Sequence, residues 1–473
     1  MGRYKKLMSN TVIFAISNFA QRGIGFVLMP LYTSVMTTDG FGTFDVLNNV
    51  ILLLIPILTL SMSDAILRFS IDSEKGRGEY FSTGMAVVIG SSVFLIACYP
   101  ILQMVEFMKG YVLVFVLLYF TSALRTYMAQ FVRGVGKVML FAIDGIIMTV
   151  VLVGGNLLFL VTLRLGPTGY LISLVLSNVV SIVILSIFGK VWKFFKIKSI
   201  KKKAFGELFR YSAPLIPNSI SWWATNLFNR YIVIAACSVA INGLFASAAR
   251  IPSMLMVFST IFMQAWQLSA VMEYNSKDRE KFYTTIYKYF STFIFVCCSF
   301  LLATLTLYSK LLFQKEFSEA WVFVPFLMLG MVFNCLVAFF GSVYISAKKT
   351  KMNFYSSFIG AVVTIILCLV LVPLAAKISP EFGAKMAGVA TMMGFAVMWV
   401  IRIKDTRKYV KIGINYYSTV CNLGLIFVQC IFLSFKLPGY KVVPLVIFIL
   451  MLIINFKVGI ELINKFAQKL RKK

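Results

Sequence analysis

Six ionisable side chains stand well inside apolar stretches of this 473-residue chain: Arg22, Asp64, Arg125, Asp144, Arg230 and Arg250. At the centre of a membrane helix one such charge costs about 2.5–3.5 kcal/mol on insertion scales, so the six need polar surroundings or one another. A guanidinium keeps its charge at any working pH and offers a planar fork of donors matched to phosphate oxygens. Arg22, Arg230, Arg250 and Arg125 therefore point to a cationic cavity for an anionic group. At 1.5 Å per residue Arg22 falls near the midplane, with Arg230 and Arg250 about 7–10 Å to its outer side. Arg125, Asp64 and Asp144 fall in the inner half. The plainer reading is snorkelling or structural pairing, Arg125 with Asp144 and Arg68 with Asp64 one turn away. For the two aspartates, ion coupling and pairing both stay open. Trp266 and Trp223 could stack on sugar rings, and tryptophan also serves as an interfacial anchor.

Other chemistry lacks its residues. The chain has no histidine, and its eight cysteines fall in or at the ends of apolar runs without a C-x-x-C, so we expect neither a disulfide framework nor a metal site. The phrase Gly134-Val135-Gly136-Lys137 lacks the earlier glycine and the following hydroxyl of a nucleotide-binding loop. No long polar segment could house catalysis. The expectation is a transporter without cofactor rather than an enzyme.

The elements that position these residues follow from composition. The chain is 60% hydrophobic and 13% charged, against about 45–50% apolar residues in soluble domains. A membrane crossing takes about 20 apolar residues. That length predicts an all-α polytopic protein with fourteen spans: 11–35, 45–70, 80–103, 111–131, 139–163, 168–189, 211–236, 244–271, 286–309, 321–346, 354–376, 383–401, 417–435 and 442–462. The first span reads as retained rather than as a cleaved signal peptide, because the run is too long and contains Gln21-Arg22.

A net charge of +29 would point to nucleic acid in a soluble protein. Here it marks sidedness instead. With the N-terminus in the cytoplasm, 34 of 46 basic residues fall in cytoplasmic segments and eight (Lys109, Arg164, Lys310, Lys315, Lys377, Lys385, Lys436, Lys441) in external loops. The expected location is a multi-pass cell membrane protein with both termini cytoplasmic. A basic linker, 190–210, separates a six-span bundle (1–189) from a second one (211–401), with a helix pair and basic tail (402–473) added. Within the linker, lysines alternate with Trp192, Phe194, Phe195, Ile197 and Ile200, which suits either a segment lying on the inner leaflet or a solvated connection. Gly42-x-Phe44 and Gly243-x-Phe245 stand 201 residues apart, as do Ser63-Asp64-Ala65 and Gln264-Ala265-Trp266, the trace a six-helix duplication would leave. A polar break at Asn242-Gly243 divides spans 7 and 8, and Pro214 and Pro217 weaken the start of span 7.

Several of these phrases carry a resemblance. Pro214-Leu215-Ile216-Pro217, Trp222-Trp223, Arg230-Tyr231-Ile232 and Gln264-Ala265-Trp266 resemble the seventh and eighth helices of polysaccharide-export flippases of the multidrug/oligosaccharidyl-lipid/polysaccharide exporter superfamily. Phe41-Gly42-Thr43-Phe44-Asp45 with Ser63-Asp64-Ala65-Ile66-Leu67-Arg68-Phe69 resembles that family's first outer loop and second helix. Asn229 departs from the pattern, standing where many members carry an acid. The resemblance implies two pseudo-symmetric six-helix bundles plus two C-terminal helices, and alternating access that rocks spans 1–6 against 7–12. It also implies translocation of a polyprenyl-diphosphate-linked oligosaccharide from the cytoplasmic to the outer leaflet. The partners it implies are that glycan lipid, membrane lipid, a polysaccharide polymerase and chain-length regulators, with no nucleic acid. A groove for the prenyl tail on spans 13 and 14 is implied by resemblance to lipid-II flippases. Alternatives are a drug or cation extruder of the same superfamily, for which carboxylates would be expected in the cavity, and a peptidoglycan-precursor flippase.

The charge split generates a direct test. Single cysteines placed in 190–210, 272–285 and 402–415 of a cysteine-free chain should be shielded from impermeant thiol reagents in intact cells. Labelling of 190–210 from outside would reverse the orientation.

Overall fold

The computed structural model describes residues 26–72, 76–105, 108–347 and 349–471. Among them there is no strand, and twelve helices are long and apolar enough to cross a membrane. The expected first span lies mostly outside the described residues. The expected seventh span is present in pieces, Leu215–Leu227 and Asn229–Ala236, each too short to cross alone. The chain forms two compact units, Met1–Trp223 and Ala224–Lys473. The boundary thus falls inside span 7 rather than at the basic linker, and the C-terminal helix pair belongs to the second unit.

The first unit contains α1 (Met29–Val35), α2 (Thr38–Leu58), α3 (Met62–Asp72), α4 (Arg77–Ala97), α5 (Tyr99–Met104), α6 (Val112–Gly134), α7 (Val138–Gly155), α8 (Gly166–Gly189) and α9 (Lys202–Ser212). Helix α10 (Leu215–Leu227) runs across the boundary. The second span begins seven residues earlier than its hydrophobicity indicates, because Thr37 caps α2 by accepting from the Gly40 amide at 3.1 Å. It then breaks. Pro56 has no N–H to give, and Leu60 and Ser61 turn to φ of +52° and +51° while the Ser61 amide reaches back to the Pro56 carbonyl at 2.9 Å. The break places Asp64 in the first turn of α3, where the helix dipole favours a carboxylate. Helix α7 passes directly into a π-helical segment, Asn156–Thr162, which ends the fifth span.

The linker lies against its own unit. The Phe194 carbonyl accepts from Ser82 Oγ at 3.1 Å, the Lys196 amide donates to Ser82 Oγ at 2.9 Å, and the Lys201 amide donates to Thr83 at 3.2 Å. Lys201 pairs with Glu79 at 2.8 Å, and the Tyr80 hydroxyl donates to Glu207 on α9. Trp192 and Ile197 stay exposed among the lysines.

The second unit contains α11 (Asn229–Ala236), α12 (Val239–Ala248), α13 (Arg250–Glu273), α14 (Arg279–Ala303), α15 (Leu305–Leu312), α16 (Val324–Ser346), α17 (Thr350–Ala376), α18 (Pro380–Thr406), α19 (Tyr416–Ser434) and α20 (Val443–Arg471). The turn between spans 7 and 8 sits at Ser238, not at Asn242-Gly243, which lie inside α12. Ser238 accepts from the Ile241 amide at 3.1 Å, so it caps α12 as Thr37 caps α2. The two hydroxyl caps are 201 residues apart, the same offset as the Gly-x-Phe phrases.

Helix association in lipid relies on close backbone approach and interhelical hydrogen bonds. Helices α17 and α18 approach most tightly at Gly394, where a Cβ would fall 1.9 Å from Thr364 Oγ1 and 2.9 Å from the Gly360 carbonyl. Helices α19 and α20 are joined by buried amides: Asn455 Nδ2 donates to Asn422 Oδ1 at 2.8 Å, and Gln429 Nε2 to the Pro444 carbonyl at 2.8 Å. Cys430 Sγ also donates to the Pro325 carbonyl at 3.2 Å, tying α19 to α16.

Two glycines separate packing from propensity. Gly394→Ala should lower the melting temperature in detergent, by overpacking worth about 1–3 kcal/mol. Gly424→Ala, where an added Cβ meets nothing within 4 Å, should raise it through about 0.5–1 kcal/mol of helix propensity. Equal effects would mean that α17 and α18 do not pack as described.

Candidate functional site

In the first unit Arg125 on α6 donates through Nη2 to Asp144 Oδ2 on α7 at 2.9 Å. Ser181 on α8 donates to Asp144 Oδ1 at 2.6 Å and accepts from Arg125 Nε at 3.2 Å. One turn away Asn178 Nδ2 donates to Ser122 Oγ at 2.9 Å. Asp144 is fully buried, and this ring of bonds ties three helices together. Charge at Arg125 is thus matched locally, whereas the sequence also allowed it a place in a ligand-binding wall. Asp64 and Arg68 lie on exposed positions of α3.

The sequence reading also passed over a buried carboxylate. Asp45, taken as the edge of span 2, lies two turns inside α2, is 7% exposed and accepts from Asn49 Nδ2 at 3.0 Å. The signal was present in the Asn four residues on, but the early start of α2 hid it. The Asn49 carbonyl in turn accepts from the Trp223 indole N–H at 2.9 Å. Trp223 is buried there, so its expected role as a sugar platform gives way to one as a clamp between α2 and α10.

In the second unit Asn229 and Arg230 open α11. Asn229 Nδ2 donates to Thr391 Oγ1 on α18 at 2.9 Å, a hydrogen bond available to the amide found here. Arg230 is buried, with its guanidinium carbon 4.9 Å from the centre of the Phe245 ring on α12. Arg250 is half-buried at the first position of α13. Arg22 lies outside the described residues.

Trp266 has no ring surface open to a sugar. It is 3% exposed, stacks on Phe339 at 4.8 Å and on Phe282 at 5.7 Å, meets Tyr283 edge-on at 4.9 Å, and donates to Ser342 Oγ at 2.7 Å. Its stacking role is corrected to one in the aromatic core joining α13, α14 and α16. Beside it a cavity of about 280 Å³ between α13 and α16 is lined by Met256, Ser259, Thr260, Gln267 and Asn334 among others.

Arg402 is a second residue that sequence reasoning missed, because the apolar run stops at 401 while α18 continues to Thr406. The side chain is 4% exposed and bonds only neutral acceptors: Ser356 Oγ at 3.0 Å, the Val337 carbonyl at 2.9 Å, Ser357 Oγ at 3.0 Å and the Asn353 carbonyl at 3.3 Å. A Cβ at Gly341 would lie 2.7 Å from its Nη1, so the absence of a side chain there makes room for the fork. Between α14 and α20 lies an apolar groove of about 500 Å³ that includes Phe293, Val296, Leu452 and Phe456.

A family model described as polysaccharide biosynthesis protein matches residues 7–267. Among solved structures, the chain is similar to an inward-facing multidrug resistance MATE family transporter of the MOP superfamily. That match has 14% identity and a TM-score of 0.68, covering 83% of this chain and 94% of that one. It is similar to the lipid II flippase MurJ in an inward closed conformation, with 14% identity and a TM-score of 0.67, covering 94% and 99%. A third likeness is to a MOP superfamily transporter from Pyrococcus furiosus, reported with a binding pocket of reversed polarity that suggests a different function. It shares 14% identity at a TM-score of 0.60, covering 84% and 95%. No curated protein matches the chain. At these identities the structural likenesses establish the fold.

The Arg125–Asp144 geometry yields a stability test. Removing one partner of a buried pair costs about 3–5 kcal/mol, whereas replacing both with apolar groups can be nearly neutral. Arg125→Met and Asp144→Leu should each lower the melting temperature, and the double variant should recover most of the loss. Unchanged melting in Arg125→Met would show that the pair is not structural.

Proposed function

The chain belongs to the polysaccharide biosynthesis protein family, and from that premise we propose that it is a flippase for a polyprenyl-diphosphate-linked oligosaccharide. It carries the repeat unit of a polysaccharide from the cytoplasmic to the outer leaflet by alternating access. The observation that supports an anionic cargo is Arg230: a guanidinium buried within the second unit, with Arg250 opening the next helix but one. Arg230 and Arg250 bind the diphosphate. Fixed cationic forks compensate an anion in a low-dielectric site far better than water-exposed charges do. Arg125 stays with Asp144 and contributes positioning rather than contact. Neutral donors such as Gln267 and Asn334 suit sugar hydroxyls, and the apolar α14–α20 groove suits the prenyl tail.

The protein acts in the cell membrane with both termini cytoplasmic, supplying a polysaccharide polymerase and chain-length regulators on the outer side. No catalytic step is assigned to it. A second reading, transport of a peptidoglycan precursor, is favoured by the coverage of the MurJ likeness, 94% of this chain and 99% of that one. The MATE likeness keeps a cation extruder in view, and the reversed-polarity transporter supports the idea that pocket charge separates functions on this fold.

The sign of the cargo decides between these readings. Purified protein in nanodiscs should bind polyprenyl-diphosphate glycans, more weakly as salt rises. Arg230→Ala and Arg250→Ala should each weaken binding roughly ten- to hundredfold, as expected for a lost charged hydrogen bond of about 1.5–3 kcal/mol. Lysine should rescue only in part, because it lacks the fork. Efflux of cationic dyes dependent on Asp64 or Asp144, without glycan-lipid binding, would overturn the assignment.

A further inference from the structure

External loops of membrane proteins are poor in lysine, yet this chain gathers several at one end of its second unit. A pocket of about 530 Å³, within the range of roughly 300–1,000 Å³ typical of ligand sites, is lined there by Lys310, Lys315 and Lys441. Among the described residues no carboxylate lines it. Two more lysines stand beside it: Lys436, paired with Glu319 and 5.5 Å from the centre of the Trp321 ring, and Lys385, 5.4 Å from the centre of the Phe435 ring. These five are most of the eight basic residues that the charge bias assigns to the outside. Glu316, Glu319 and Glu381 are the neighbouring acids, so lysines outnumber them.

The pocket is assembled from separate parts of the chain. Trp321, just before α16, stacks on Tyr440 of the α19–α20 turn at 5.8 Å and 16° between planes. Lys315 and Lys436 both hold left-handed backbone, φ +50° and +49°, a conformation that costs a non-glycine residue energy and persists only where its surroundings enforce it. Thr306, Ser309, Gln314 and Ser318 add neutral hydrogen-bonding groups to the lining.

We propose that this pocket is a binding site for an anionic saccharide, a sugar ring bearing a carboxylate or phosphate substituent, on the outer side of the membrane. Ammonium groups on flexible stems supply point charges to the substituent. The hydroxyl and amide groups meet ring hydroxyls, and the Trp321–Tyr440 pair forms the apolar wall. The assignment to the outer side, and to a glycan that has just been translocated, rests on the flippase reading.

The test uses the full chain in nanodiscs of neutral phospholipid, with oligogalacturonate as the anionic probe and maltohexaose as the neutral one. Oligogalacturonate should bind, maltohexaose should not, and the triple variant Lys310→Gln/Lys315→Gln/Lys441→Gln should weaken the former at least about tenfold. That variant should melt like the wild type and keep its affinity for a polyprenyl diphosphate carrying a neutral glycan. Absence of oligogalacturonate binding, equal binding by the triple variant, or equal binding of maltohexaose would overturn the site. Displacement by inorganic phosphate as readily as by oligogalacturonate itself would overturn the saccharide assignment. Failure of the neutral polyprenyl-diphosphate glycan to bind wild-type protein would instead overturn the flippase reading.

Discussion

Everything in this molecule is subordinate to the cost of a polar group in hydrocarbon. With no water at hand, each backbone amide and each charge in a span needs an internal partner or a wet surface. Helices answer the first demand, which is why the described chain is helical and its irregular backbone is confined to a few breaks. The second demand sorts the arginines. Arg125 is answered by a carboxylate and a hydroxyl on two other helices. Arg402 is answered by hydroxyls and carbonyls from α16 and α17 alone. Both guanidinia stitch helices together, and their settings differ from that of Arg230 against an aromatic face.

The class of fold was legible because it follows from the length and apolarity of runs, which a bilayer reads much as a hydropathy window does; of the fourteen expected spans, the described residues show twelve helices long and apolar enough to cross. The two glycine–phenylalanine phrases suggested a duplication, and the caps at Thr37 and Ser238 repeat their 201-residue offset. Boundaries were not legible where a polar element continues a helix beyond its apolar run. That one cause explains both omissions: α2 starts early and swallows Asp45, and α18 ends late and swallows Arg402. The tryptophans misled for a different reason. Residue type indicates that an aromatic surface exists, but only packing indicates whether another ring already covers it, as Phe339 covers Trp266.

The breaks concentrate along the stretch that carries the family phrases. Span 7 is divided at Ala213-Pro214 and again at Phe228, and α12 gives way to α13 at Ala249. Arg230 and Arg250 each stand one or two residues after such a break, at the opening of a helix. The positive end of a helix dipole lies there, so side-chain charge and helix dipole act with the same sign. This gives the proline-rich, interrupted sequence of span 7 a purpose beyond flexibility.

Charge arithmetic sharpens the choice of cargo. With Arg125 set against Asp144 and Arg402 enclosed by neutral acceptors, the sequence leaves Arg22, Arg230 and Arg250 as the other arginines of the spans. Asp45 and Asp64 are the acids set against them. The excess is small, so selectivity follows from placement rather than from total charge. Asp64 is exposed in the first turn of α3 and Asp45 is buried with Asn49, both in the first unit, whereas Arg230 and Arg250 belong to the second. The diphosphate reading therefore draws ligand charge from Arg230 and Arg250 of the second unit, and the lysine-lined pocket of the same unit carries the same sign.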